Sequence, residues 1–426
     1  MVPLAGLMDV AFLGHLPELA NLAGVALATV LFNYLYWSFG FLRMATTGMT
    51  AQAVGREDPD TVILIGLRNA ALAIAIGTAI ALFQTPIRDL GFTLLNAEPD
   101  VRQAGEAYYQ ALIWAAPANL LSFVLLGWLL GQEEGLKVLL LSAISNGSNV
   151  ILNYWFIVRW GWESAGAGLA TALSQCAMAV VGLWIVSRSQ SWPQVRSLLP
   201  RVWDKSAFQE AFMLNNDILI RTFALVSTFS LFTTISSGLS TLVLATNTLM
   251  LQVISFAAYF IDGIAFATES FAGQFWGQGE THQLKRLLTW AGSSSLLLGI
   301  AFAAAFTTMP NALFGLLTNH TTVLDSIHGF VLWLYPVLGF GAIAYMLDGY
   351  FLGLTAGQTL RNAALLSTGL GFLPVASLAW HWHSEQILWG ALSLFMATRC
   401  LTLGASVPRT LKQLNVDIKN PQHRRG

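Results

Sequence analysis

Runs of mostly apolar residues, broken by short polar stretches, recur twelve times along this chain. They fall at 1–18, 21–50, 62–84, 107–131, 136–158, 164–187, 211–237, 240–272, 286–308, 328–354, 359–380 and 385–406. A helix needs about 20 such residues to cross a bilayer core, so the pattern predicts an all-α membrane protein of twelve transmembrane helices. The longer runs leave room for tilt or for turns outside the core. The largest polar break, SRSQSWPQVRSLLPRVWDKSAFQEA at 187–211, follows the sixth run. It divides the chain into an N-lobe over 1–187, a cytoplasmic linker over 188–210, a C-lobe over 211–406 and a basic tail over 407–426.

The two lobes are related in sequence. A shift of 222 residues lays ATTGMTAQAVGRED (45–58) on ATESFAGQFWGQGE (267–280), so that Gln52 and Gly55 meet Gln274 and Gly277. The same shift brings ISNG at 144–147 onto LSTG at 366–369, and Gly168 onto Gly390. Because the offset crosses six spans, an even number, both halves run in the same direction, as in transporters built from parallel repeats.

Composition agrees with the membrane reading. Of 426 residues 55% are hydrophobic and 10% charged, against about 25% charged in soluble domains. The net charge of −1 offers no field for nucleic acid, and no nucleotide-binding loop or zinc-type spacing is present. Cys176 and Cys400 lie in apolar stretches and read as packing residues. HWHSE (381–385) is the one local His/carboxylate cluster; it sits in a short connection and suits interfacial anchoring better than metal binding. No cofactor, metal or enzymatic activity is expected.

Fourteen of the 21 Lys and Arg residues fall in alternate loops or the tail, three in the opposite loops and four inside spans. By the positive-inside tendency the linker and tail face the cytoplasm, with both ends cytoplasmic in the full-length protein. A helix over 1–16 would rise only about 24 Å at 1.5 Å per residue, so the first span is expected to lack its front.

Polar residues inside spans carry the candidate chemistry. Asp9, in PLAGLMDVAFLGHL, is a lone acid in an apolar run; intramembrane acids are usually functional and face an interior or a wet cavity. Asn146, Asn149 and Asn153 share one helix face, whereas their repeat partners are Thr368, Gly371 and Val375, so this amide cluster belongs to the first half alone. Amides in such helices also serve as interhelical glue, and that role stays open. Asp217 and Arg221, spaced i, i+4, suit an internal structural ion pair. Asp262 and Asp348 are embedded acids that would touch substrate or cation in the second lobe, or else hold a helix interface with Arg399 or the backbone.

These segments resemble the multidrug and toxic compound extrusion (MATE) family, and its DinF-type subgroup in particular. VPLAGLMDVAFLGHL resembles the subgroup's first-helix signature and FLRMATTGMTAQAVG its second-helix ending, while LLGWLLG, GAGLATALS, DGIAFATESFAGQ and LDGYFLG follow in order. The resemblance implies a two-lobe exporter of cationic and amphiphilic small molecules, working as a monomer by alternating access in the bacterial inner membrane. It makes Asp9 the coupling acid, Pro3 the hinge of the first helix, and Asn149, Asn153 and Thr171 polar positions of the coupling and substrate cavity, with Asn146, Asp262 and Asp348 as further cavity candidates. Many relatives carry N-x-x-x-D on the fifth helix where this chain has NVILN, so Asn153 replaces an acid. That departure favours H⁺ over Na⁺ as coupling ion. Na⁺ coupling remains one alternative, and flipping of lipid-linked precursors another, although a pyrophosphate cargo calls for several cavity cations.

Overall fold

The structure, a computed structural model, describes residues 19–95 and 99–419 together with Phe12, the side chains of 19, 210 and 417–419 excepted. Among the described residues all regular structure is helical, and eleven helical stretches are long and apolar enough to cross a membrane. The expected first span, with Pro3 and Asp9, lies outside the described residues but for Phe12.

In chain order the helices are α1 (Leu19–Ser38), α2 (Phe41–Gly55), α3 (Pro59–Leu82), α4 (Gln84–Leu94), α5 (Pro99–Leu112), α6 (Ala116–Gly131), α7 (Gly135–Asn153), α8 (Glu163–Ser189) and α9 (Trp192–Leu198). There follow α10 (Lys205–Leu239), α11 (Thr241–Gln278), α12 (Thr281–Thr308), α13 (Pro310–Phe314), α14 (Thr321–His328), α15 (Leu334–Gly353), α16 (Gly357–Leu366), α17 (Leu373–Trp382) and α18 (Glu385–Lys419). Some predicted spans are composite. A break at 39–40 divides Ala20–Gly55 into α1 and α2, and the 3₁₀ turn Ile113–Ala115 divides Pro99–Gly131 into α5 and α6.

Local chemistry sets the ends. Asp58 caps α3: its Oδ1 accepts from the Thr61 amide at 3.0 Å and its Oδ2 from the Thr61 hydroxyl at 2.7 Å, with Pro59 in the first turn. Asp204, just ahead of α10, accepts from the Ser206 hydroxyl at 2.7 Å and the Ser206 amide at 2.9 Å, bonds that hold its carboxyl below the usual carboxylate range. At the far end α18 runs on through Pro408 to Lys419, so much of the expected tail is helix; Leu414 is buried, and Asn415 Oδ1 accepts from the Thr281 hydroxyl at 2.9 Å.

The chain forms two compact units, Met1–Thr50 with Asp58–Phe208, and Ala51–Glu57 with Gln209–Gly426. Within the first, α3 packs on α6 and α7 on α8; within the second, α12 packs on α15 and α16 and α17 on α18. The pairing order is therefore the same in both, and the repeat reaches down to single close approaches. A Cβ at Gly127 would lie 2.4 Å from the Arg43 carbonyl oxygen, and one at Gly349 would lie 2.2 Å from that of Ala265. Both members of the second contact are the 222-residue translates of the first, so glycine at these sites marks a helix crossing that the two halves share.

The end of α2 belongs to the second unit. Gly55 approaches the Gln274 carbonyl and Gly277 that of Gln52, reciprocal contacts in which an added Cβ would lie 2.2 and 2.4 Å from oxygen. Gln52 Nε2 donates to the Gly353 carbonyl at 3.0 Å and to Thr355 Oγ1 at 3.1 Å. The segment 51–57 is thus tied by backbone crossings and side-chain bonds alike.

The second unit's core joins Phe232, Met250, Phe372, Trp389, Phe395 and Met396, all fully buried. A polar thread runs through it: Trp389 Nε1 donates to Asn247 Oδ1 at 2.9 Å, Asn247 Nδ2 to Ser236 Oγ at 2.9 Å, and Ser236 Oγ to the Phe232 carbonyl at 2.8 Å. Asn247→Leu strands a buried indole N–H and is expected to cost about 1–3 kcal/mol. The check is a lowered thermal midpoint in detergent; an unchanged midpoint would show the thread to be dispensable.

Candidate functional site

In the first unit, the face predicted on α7 is real. Asn149 and Asn153 are fully buried and Thr171, on the neighbouring α8, nearly so. Asn153 Nδ2 donates to Asn149 Oδ1 at 3.2 Å, and Asn149 Nδ2 donates to Thr171 Oγ1 at 2.9 Å. Asn146 Nδ2 donates to the Ser142 carbonyl one turn back, at 2.8 Å. A π-helical turn, Tyr154–Arg159, begins directly after Asn153; such turns shift the register of a helix and recur at functional sites. The chain Asn153–Asn149–Thr171 joins two helices through neutral groups that accept and donate but do not titrate.

One residue of this region escaped the sequence reading. Gln175 stands one turn along α8 from Thr171, and its buried Oε1 has no partner among the described residues. The i, i+4 spacing from Thr171 was the available signal. Asn21 and Ser164 were missed as well; Ser164 Oγ donates to Asn21 Oδ1 at 2.8 Å, joining the starts of α1 and α8.

The second unit holds charges instead of amides. Arg221 on α10 and Arg399 on α18 both bond Asp348 Oδ2 on α15, and Asp348 is only 4% exposed. The Tyr345 ring lies 5.2 Å from the Arg399 guanidinium carbon, a cation–π distance. Asp262, half-buried on α11, stands within electrostatic reach of Arg399 and Tyr345.

This arrangement corrects one expectation and decides another. Asp217 and Arg221 do not form the predicted ion pair: Asp217 Oδ1 accepts from Arg361 Nη1 on α16 at 2.6 Å, while Arg221 goes to Asp348. Spacing of i, i+4 brings two charges to one face, but Arg361 and Arg399 on adjacent helices also need counter-ions, and pairing across helices gives both of them one. For Asp348, the interface alternative with Arg399 is the one observed. Its Oδ2 accepts from both guanidinia.

Comparison with known proteins agrees with this architecture. The MatE family profile matches residues 1–155 and 218–376. The chain is 31% identical over 407 residues to DNA damage-inducible protein F of Escherichia coli (strain K12), covering 95% of this chain and 88% of that protein. It is 27% identical over 322 residues to the probable multidrug resistance protein NorM of Rhizobium meliloti (strain 1021), covering 72% and 67%. Among solved structures, a MATE protein in the bent conformation superimposes with a TM-score of 0.88 at 17% identity, over 97% of this chain and 92% of that one. A chain matched along both halves by the family profile, sharing its fold and resembling a relative over nearly its whole length, belongs to the MatE family of multidrug and toxin extrusion proteins: it is a multi-pass membrane transporter and not an enzyme.

Proposed function

We propose that this transporter is a proton-driven antiporter that exports organic cations and other amphiphilic drugs across a bacterial inner membrane, with Asp9 as the acid that exchanges the proton. The observation that carries the reading is the buried Asn153–Asn149–Thr171 chain. Its groups hydrogen-bond to a substrate or a neutral carboxyl but hold no charge. The position where many relatives carry an acid is an amide here, which weakens a Na⁺ site and leaves proton exchange to Asp9.

The other half supports the same assignment. Asp348 and Asp217 are committed to arginines, and protonating either would leave a guanidinium without its counter-ion. The energy scale is sufficient: one proton crossing 100 mV supplies about 2.3 kcal/mol, and one pH unit about 1.4 kcal/mol more. Together these support roughly a several-hundred-fold gradient of a neutral solute; for a singly charged cation exchanged one for one the potential cancels, and each pH unit supports about tenfold. Probable multidrug resistance protein NorM, a relative by sequence, gives the substrate class its precedent.

The test is reconstitution into proteoliposomes loaded with a fluorescent organic cation. A pH gradient imposed at equal sodium is expected to drive its movement, and a sodium gradient at equal pH to leave it still. The reverse result would replace H⁺ by Na⁺ and remove Asp9 from the scheme.

A further inference from the structure

The first unit carries an apolar groove of about 190 Å³ that the transport chemistry does not use, formed by α3, α6, α8 and the short helix α9. Gly66, Ala70, Leu125, Trp128, Leu183 and Trp192 are among its lining residues, and its walls are almost wholly hydrocarbon. The Trp128 indole N–H is already satisfied, since Nε1 donates to the Val62 carbonyl at 2.8 Å.

Helix α9 is fixed beside the groove. Leu198 and Val202 pack on Ile63 and Leu64. Arg68 donates to the carbonyls of Val202 and Arg201 at 3.0 and 2.8 Å, and Gln194 Nε2 donates to Asp60 Oδ1 at 2.8 Å. The opening is therefore walled by anchored elements.

What fills the groove follows from its chemistry and surroundings. It has room for water, but a buried water needs two to four polar partners, and these walls are almost wholly hydrocarbon. An empty groove would forfeit dispersion contacts along its lining. The residues that follow its lining are basic: Arg188 comes directly after Ser187 and Arg196 directly after Val195, both exposed. Arg188 lies over the Trp184 ring at 5.6 Å, and no acid occurs from 187 to 203. Hydrocarbon flanked by exposed arginines complements one kind of molecule, a lipid with an anionic head.

We propose that the groove seats an acyl chain of an anionic glycerophospholipid whose phosphate is held by Arg188 and Arg196. The bound lipid braces α9, the short helix between α8 and α10. This site is separate from the amide chain on α7 and α8 and is independent of the coupling ion.

Native mass spectrometry on the full-length protein, exposed to phosphatidylglycerol or to phosphatidylcholine of the same chain length, tests the proposal. Wild type is expected to retain phosphatidylglycerol about thirtyfold better, as two arginines near a bilayer surface warrant. Arg188→Gln with Arg196→Gln should abolish that preference while leaving the packing untouched. Leu183→Trp, at a position already 47% exposed, should reduce retention of both lipids by narrowing the groove. Equal retention of the two lipids by wild type overturns the proposal. So does a Leu183→Trp protein that elutes as a single species and still binds phosphatidylglycerol as wild type does.

Discussion

Alanine in place of Asp348 is expected to destabilise the protein by about 3–5 kcal/mol, the cost of breaking a buried ion pair by removing one partner. The carboxylate lies among α10, α15 and α18, with Arg221 and Arg399 both on Oδ2. Arg399 is 1% exposed, so water cannot replace the lost counter-charge. A charge left unpaired within the bilayer is costly on every scale. The pair need not be stabilising overall, however, because well-packed apolar replacements of buried ionic clusters are often neutral or better. The combined variant Arg221→Met, Asp262→Leu, Asp348→Leu, Arg399→Met should therefore melt near wild type, far above Asp348→Ala. Thermal denaturation in one detergent compares all three proteins. An Asp348→Ala protein that melts with wild type would show that Asp348 is not the counter-ion holding these helices.

That clamp also marks where sequence reasoning stopped. The twelve apolar runs and the 222-residue shift were legible because bilayer thickness and helix crossing each leave a pattern in residue type. The Gly127–Arg43 approach and its translate at Gly349 and Ala265 show why glycines survive at equivalent places in halves that otherwise diverge. The choice of ion-pair partner left no such pattern. Spacing reports which residues share a helix face, but the rotation of that helix and the charges on its neighbours decide the bond, and for Asp217 the neighbour was Arg361. The three asparagines were visible as a stripe, and Thr171 entered through the resemblance as a polar position, but nothing in spacing joins α7 to α8 and the bond between Asn149 and Thr171 left no trace in the sequence. Asn247 and Gln175 were invisible for a simpler reason: a single amide in an apolar helix looks the same whether it faces an indole, an open site or lipid.

Asp9→Asn should abolish gradient-driven export while the protein is still made, inserted and able to bind its substrate. Coupling to protons requires a group whose protonation changes during the cycle. The carboxamides of Asn149 and Asn153 and the hydroxyl of Thr171 do not titrate in water's range, and Asp217 and Asp348 are paired with arginines. Asp9 itself lies outside the described residues, so its assignment rests on the sequence, where it stands alone in PLAGLMDVAFLGHL, and on the resemblance of that segment to the family's first helix. Asparagine preserves size and hydrogen bonding but fixes the neutral form, and so separates binding from coupling. With coupling removed, the roughly tenfold gradient per pH unit that one-for-one exchange of H⁺ for a monovalent cation sustains should collapse to equilibration, while dye binding, followed by fluorescence anisotropy, changes little. If Asp9→Asn proteoliposomes still concentrate the dye against a gradient when pH is stepped, the proton is carried elsewhere. Asp262 and the fully buried Glu269, both on α11, then become the acids to test.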